Sequence, residues 1–325
     1  VTNVPSSSGG EKSARSLKQS STVIGMSGSR ADIVESNDNS PPHPQPLSPA
    51  YRGEGRVSQT RSDAAFWLLL WGLGGSYVLF ILLLLLADAL STSPRHFWDA
   101  LQKPEIRASL LLTLKTCTLS AILSLWLALP LAYLLSRTRF AGRAVIDTLV
   151  DVPLVLPPLV LGLSLLILFH FPINGWQLET WLRNSFGLSV TYHVPAIILA
   201  QVTLATAFAV RTLRSTFDRI DPRAEEVART LGCTRAQAFL QVCLPQAMPG
   251  MLAALIVAWA RSMGEFGPIL IFAGTTRLKT EVLSTTVYLE LGMGSLEAAV
   301  AVSLLMVTLS VAVLLGLRLL GKWAA

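Results

Sequence analysis

Two ionisable side chains stand inside an otherwise apolar stretch, Arg261 and Glu265, in Ala260-Arg261-Ser262-Met263-Gly264-Glu265-Phe266-Gly267. A helix would place residues four apart on one face, where these two neutralise each other as an internal ion pair or leave the arginine to meet an anion. Both readings stay open at this point. The four histidines, His43, His96, His170 and His193, make no H-x-x-x-H or H-E-x-x-H pair, and the cysteines Cys117, Cys233 and Cys243 have no C-x-x-C spacing. Neither a metal centre nor a disulfide framework is expected from them. Gly9-Gly10-Glu11-Lys12-Ser13 has the wrong order for a G-x-x-x-x-G-K-[ST] phosphate loop, so no ATP site is expected in this chain. No nucleophile and base, and no metal-ligand set, stand together, which disfavours an intramembrane enzyme.

The segments that must position the charged pair are long and apolar. Hydrophobic residues make up 52% of the 325 and charged residues only 14%. Runs of that kind need lipid as solvent, so a soluble enzyme, a nucleic-acid binder and a secreted disulfide scaffold are disfavoured. Six spans of about 20 residues fit a bilayer: residues 65–87, 109–135, 149–170, 193–214, 248–273 and 296–319. The third carries Val152-Pro153-Leu154-Val155-Leu156-Pro157-Pro158 and then Gly162, which predicts a kink or a broken helix. His96–Arg107 is expected to lie at the interface as a short helix. Residues 1–62 are rich in Ser, Pro and charge, which predicts a disordered tail ahead of a membrane domain at 63–325. The chain opens at Val1 with Met26 downstream, and Pro41–Arg56 resembles short translated repeats of bacterial genomes, so a mis-called start is one account of this tail.

Basic residues set the orientation. Arg52, Arg56, Arg61, Arg137, Arg139, Arg143, the six arginines from Arg211 to Arg235, Arg318 and Lys322 fall on one side, against six basic residues on the other. Positive charge stays inside, which predicts cytoplasmic termini and a cytoplasmic loop at 215–247. Asp147 and Asp151 at the entry to the third span are placed to pair with loop arginines. The loop reads Asp221-Pro222-Arg223-Ala224-Glu225-Glu226-Val227-Ala228-Arg229-Thr230-Leu231-Gly232, with an Asp cap, Pro at the first turn and Gly at the end. A second helix is expected from Thr234, with Ala236, Phe239, Leu240 and Cys243 as its apolar stripe and Leu244-Pro245 as its stop. From periodicity alone this is either an amphipathic surface loop or a protruding knob.

The spacing Glu226, Ala228, Gly232, Val242, Leu244, Pro245 resembles the EAA signature of permease subunits of ATP-binding-cassette importers, with Val227 and Val242 in place of the usual Ala and Ile. The resemblance implies an all-α integral membrane protein with the six-helix type I permease fold. Its loop would be a coupling helix seated on a separate ATPase, with Glu226, Ala228, Gly232, Leu244 and Pro245 at the contact. It further implies two ATPase copies, a second permease copy, a periplasmic or lipid-anchored binding protein, no cofactor in this chain, and the bacterial inner membrane as location. Residues 260–267 with Phe272-Ala273-Gly274, and Leu156-Pro157-Pro158 before Gly162, are similar to permeases for molybdate, tungstate and sulfate. The group usually has Ala at Pro268. Molybdate or tungstate is the leading expectation and sulfate or thiosulfate the alternative. A gradient-driven secondary transporter would show inverted repeats, and no matched halves are visible. Gly264 and Gly267 are expected to pack against neighbouring helices, Pro157, Pro158 and Gly162 to mark the kink.

Overall fold

The computed structural model describes residues 49–91, 94–172 and 177–324. Every regular element among the described residues is a helix: α1 (Pro49–Ser91), α2 (Pro94–Gln102), α3 (Pro104–Arg137), α4 (Arg143–Val155), α5 (Pro158–His170), α6 (Leu178–Phe186), α7 (Val194–Arg219), α8 (Arg223–Thr230), α9 (Arg235–Ala238), a π turn (Phe239–Cys243), α10 (Leu244–Met263), α11 (Gly267–Phe272), α12 (Leu283–Gly292) and α13 (Leu296–Ala324). Contacts divide the chain at Leu68, and α1 runs across that division. Most of the tail expected to lack structure, residues 1–48, lies outside the described residues. Residues 49–62 are helical, a correction to that expectation. Once a span has nucleated a helix, each added residue gains a hydrogen bond without a new nucleus.

Among the described residues five helices are long and apolar enough to cross a membrane, and α4 with α5, bent by 114° between them, passes the same test as a pair. The break falls at Leu156–Pro157, both extended, because a residue before proline is pushed out of the helical region. A second break was not expected. The stretch 248–273 is not one span: α10 ends at Met263, and α11 starts afresh at Gly267-Pro268. Proline suits a first helical turn, where its missing N–H has no partner to lose. The expected interfacial helix is also shorter, since Lys103 is extended ahead of Pro104 and Arg107 belongs to α3.

The main core joins α3, α7, α10 and α13 through small residues, among them Ala128, Ala132, Ala205, Ala209, Ala254 and Ala258, all fully buried. In lipid, helices gain from close backbone approach rather than from hiding apolar surface, which favours alanine at crossings. Gln201, 1% exposed, fastens three helices: its Oε1 accepts from Ser120 Oγ at 2.9 Å and its Nε2 donates to Ser262 O at 3.1 Å. A smaller cluster joins α5, the start of α7 and α11 around Phe169, Ile197, Ile269 and Phe272.

Candidate functional site

At the end of α3 and α7 the loop folds into a knob of two short helices, α8 and α9, the second of the two forms that periodicity left open. Asp221 Oδ1 accepts the Arg223 N–H at 2.9 Å and caps α8. Gly232 closes the helix at φ +95°, a left-handed conformation that a side chain with a Cβ resists. Thr234 and Gln237 form a reciprocal capping box on α9. The expected stop at Leu244-Pro245 is absent, because the π turn carries the chain directly into α10 and puts Pro245 in that helix's first turn. The extra residue of the π turn also rotates the stripe. Ala238 and Cys243 are buried and Phe239 half-buried, while Ala236 and Leu240 face outward.

Two adjacent acids in α8 point opposite ways. Glu225 is buried against the end of α3. Glu226 is exposed, and beside it Val227 and Leu231 present apolar surface, Leu231 at 81% exposure. Ala228 is half-buried beneath them. Such a group, apolar with charge at its edge, has the composition of a docking surface. Leu244 is half-buried and Pro245 exposed at the base of the knob.

Asp147 and Asp151 of α4 pair with Arg214 and Arg211 of α7, the second pair at 2.8 Å. These arginines belong to the helix, so α4 is clamped along its neighbour. α5 leaves at the 114° bend and packs on α11 instead. There the two breaks meet. A Cβ on Gly267 would lie 2.9 Å from Pro158 Cβ, and one on Gly162 would lie 2.8 Å from Pro268 Cα. Gly264 would accept a Cβ at an ordinary contact distance, 3.8 Å from Arg261 O in its own helix, and it ends α10 rather than packing against a neighbouring helix.

Arg261 and Glu265 form an ion pair across the end of α10, Nη2 to Oε1 at 2.9 Å. They do not share one continuous helical face, because the helix stops between them. The Glu265 side chain is 3% exposed and that of Arg261 39%, and the guanidinium lies over the Phe208 ring at 4.9 Å. Ser284 Oγ donates to Glu265 O at 2.7 Å, tying α12 to the break.

Near the start of α3 lies a cluster that sequence reading passed over. Glu290 of α12 accepts from Arg277 Nη2 at 2.7 Å and lies 3.9 Å from Lys103. Glu281, in the connection before α12, is 2% exposed, and burial holds its carboxyl above the usual range against the opposing pull of Thr286 and Arg277. A raised value in the fold disfavours the charged form, so stability falls as pH rises past the ordinary carboxylate value. Glu281→Gln is therefore expected to raise the apparent melting temperature of the purified protein at about pH 8 and to change it little at about pH 5. A loss at the higher pH would show a carboxylate that the fold holds charged.

Among the described residues no group of three or more His, Cys, Asp or Glu could hold a metal. A family model described as a binding-protein-dependent transport system inner membrane component matches residues 120–324. The chain is 33% identical over 271 residues to the sulfate transport system permease protein CysT of Escherichia coli (strain K12), covering 81% of this chain and 95% of that protein. It is 34% identical over 258 residues to the molybdenum transport system permease protein ModB of Mycobacterium tuberculosis (strain ATCC 25618 / H37Rv), covering 78% and 94%. In fold it resembles a chain of a bacterial alginate ABC transporter crystallised with an alginate pentasaccharide-bound periplasmic protein, with a TM-score of 0.64, 19% identity, and coverage of 80% of this chain and 94% of that one.

Proposed function

Because the chain belongs to the family of binding-protein-dependent transport system inner membrane components, we propose that it carries a tetrahedral oxyanion through the membrane. It is the multi-pass inner-membrane permease component of an ABC transporter, whose partners are an ATPase and a binding protein, and it is not the ATPase. Our reading takes molybdate or tungstate first. Sulfate or thiosulfate is the second reading, favoured by the similarity to CysT, which is as strong as that to ModB. We further read the permease as a homodimer with two ATPase subunits, and the basic loop with both termini as cytoplasmic.

The observation that carries the coupling role is the two-faced helix α8, with Glu225 turned inward and Glu226, Val227 and Leu231 turned out. A partner subunit that grips the outer face pushes the knob as a unit, since both its helices are capped. Between α7 and α10 lies an open cleft of about 610 Å³ whose lining mixes Ser215, Arg219 and Gln246 with Ile220, Pro249 and Ala253.

The test is co-expression with the ATPase and binding protein. Glu226→Arg reverses a charge at the docking face, and Gly232→Val places a β-branched residue at positive φ, an outlier costing about 1–2 kcal/mol. Both variants are expected to insert normally, and to lose roughly tenfold or more of the co-purified ATPase or of substrate-stimulated hydrolysis in proteoliposomes. Full retention of both would leave the loop an ordinary surface feature and defeat the coupling role. Titrating the binding protein with molybdate, tungstate and sulfate, followed by uptake of the preferred anion, decides the substrate.

A further inference from the structure

We propose that Glu225, Arg137 and Tyr133 are the linkage through which α8 moves the membrane helix α3, an inference that rests on the permease reading above. Both oxygens of the Glu225 carboxylate are held by the last turns of α3. Oε1 accepts from Arg137 Nε at 3.0 Å, and Oε2 accepts from Tyr133 OH at 2.7 Å. The same guanidinium donates through Nη2 to Ile220 O at 2.9 Å, where α7 has just ended. One arginine thus joins three helices.

The surroundings make the joint stiff. The Tyr133 ring centroid lies 4.5 Å from that of Phe239 of the π turn and 5.7 Å from that of Phe217 of α7, so the tyrosine that holds the carboxylate is itself packed between aromatic rings. The two charged side chains keep only 13% and 11% of their surface. Charge-assisted bonds shielded from water are shorter and stronger than exposed ones, and they fix direction as well as distance. A matched apolar pair at 137 and 225 would satisfy packing at least as well, because a buried ion pair gains little stability over a hydrophobic match. What the pair adds is a directional tie between a helix that protrudes and a helix that crosses the membrane.

The chain on either side of α8 leads to α7 and, through α9 and the π turn, to α10 rather than to α3. Toward α7 it is Ile220, Asp221 and Pro222, and toward α9 it is the turn through Gly232. A push on the exposed face of α8 therefore reaches α3 most directly through Glu225. In this role Glu225 and Arg137 are positioning residues, since neither is read as touching the anion or the ATPase.

The test uses the assembled transporter, permease with its ATPase and binding protein in proteoliposomes, with radiolabelled sulfate and molybdate as probes. The variants are Glu225→Gln, Arg137→Met, Tyr133→Phe and the exchange Glu225→Arg with Arg137→Glu. In the first two, the ATPase is expected to stay bound while anion moved per ATP hydrolysed falls about tenfold, the scale of one lost charge-assisted hydrogen bond. The exchange is expected to recover much of that ratio, because the opposite charges meet again. Tyr133→Phe removes one hydroxyl without leaving an unpaired charge, and an intermediate fall of roughly threefold is expected. Should the first two fail to insert, this variant decides alone.

An unchanged ratio in the single variants would overturn the linkage while leaving the permease reading intact. Loss of the bound ATPase together with hydrolysis would also overturn it, since Glu225 would then serve only to shape the docking face. If the unaltered chain held no ATPase, the permease reading itself would fail and the linkage with it.

Discussion

Arg261→Met is expected to damage the protein more than Glu265→Gln, and more than the two changes together. The asymmetry comes from exposure, since Glu265 is 3% exposed and its partner 39%. Removing the arginine strands a carboxylate with little access to water, at a cost of about 3 kcal/mol, the lower end for a broken buried pair because one partner is partly solvated. Removing the carboxylate leaves a guanidinium that still rests on the Phe208 ring. The double replacement removes both charges and should recover about 1–3 kcal/mol relative to the sum of the singles. Apparent melting temperatures in detergent measure the cycle, and additive losses would dispose of the pairing. Uptake separates a second role. If the double variant regains stability yet moves no anion while Arg261→Lys keeps transport, Arg261 meets the anion directly.

The long apolar helices were legible because twenty apolar residues in a row are a property of composition, readable without knowing any partner. The bend at Pro157 was legible for a similar local reason: proline acts on its own neighbours. The break at Gly264–Phe266 was not. Arg261 and Glu265 read there as a charged pair within one span, and the crossing of α5 at Gly267 is a contact between segments far apart in the chain. In the loop, spacing aligned Glu226 with the family motif, yet could not tell that its neighbour Glu225 turns inward. The reason is Arg137, 88 residues away, which decides the matter only once α3 and α8 are side by side. The stop expected at Pro245 failed through the π turn, whose extra residue depends on Phe239 and Cys243 packing into the α3 and α7 core. Acids such as Glu281 and Glu290 were overlooked because they lie outside the apolar runs, where a charge draws no notice until its burial is known.

Gly267→Ala is expected to disable the protein where Gly264→Ala, three residues earlier, is nearly silent. The two positions share composition and neighbourhood, and only the crossing of α5 and α11 distinguishes them. There the contacts are reciprocal: Gly267 lies against Pro158, and Gly162 lies against Pro268. A methyl at Gly267 would stand 2.9 Å from Pro158 Cβ and 3.1 Å from the Leu159 nitrogen, and neither a proline ring nor a helix backbone can rotate aside. The helices must part, losing contact along their length and costing about 1–3 kcal/mol in a close-packed interface. Gly162→Ala meets Pro268 Cα at 2.8 Å and should cost as much. Combining the two should cost less than their sum, because the first has already separated the helices. At Gly264 the nearest atom is 3.8 Å away and φ is −80°, so alanine fits without strain. Apparent melting temperature and anion uptake in proteoliposomes check the three single variants and the combination. Equal damage at 264 and 267 would mean that the stretch tolerates no side chain for a reason other than the crossing, and the paired glycine-proline contacts would lose their role in holding the bent span against α11.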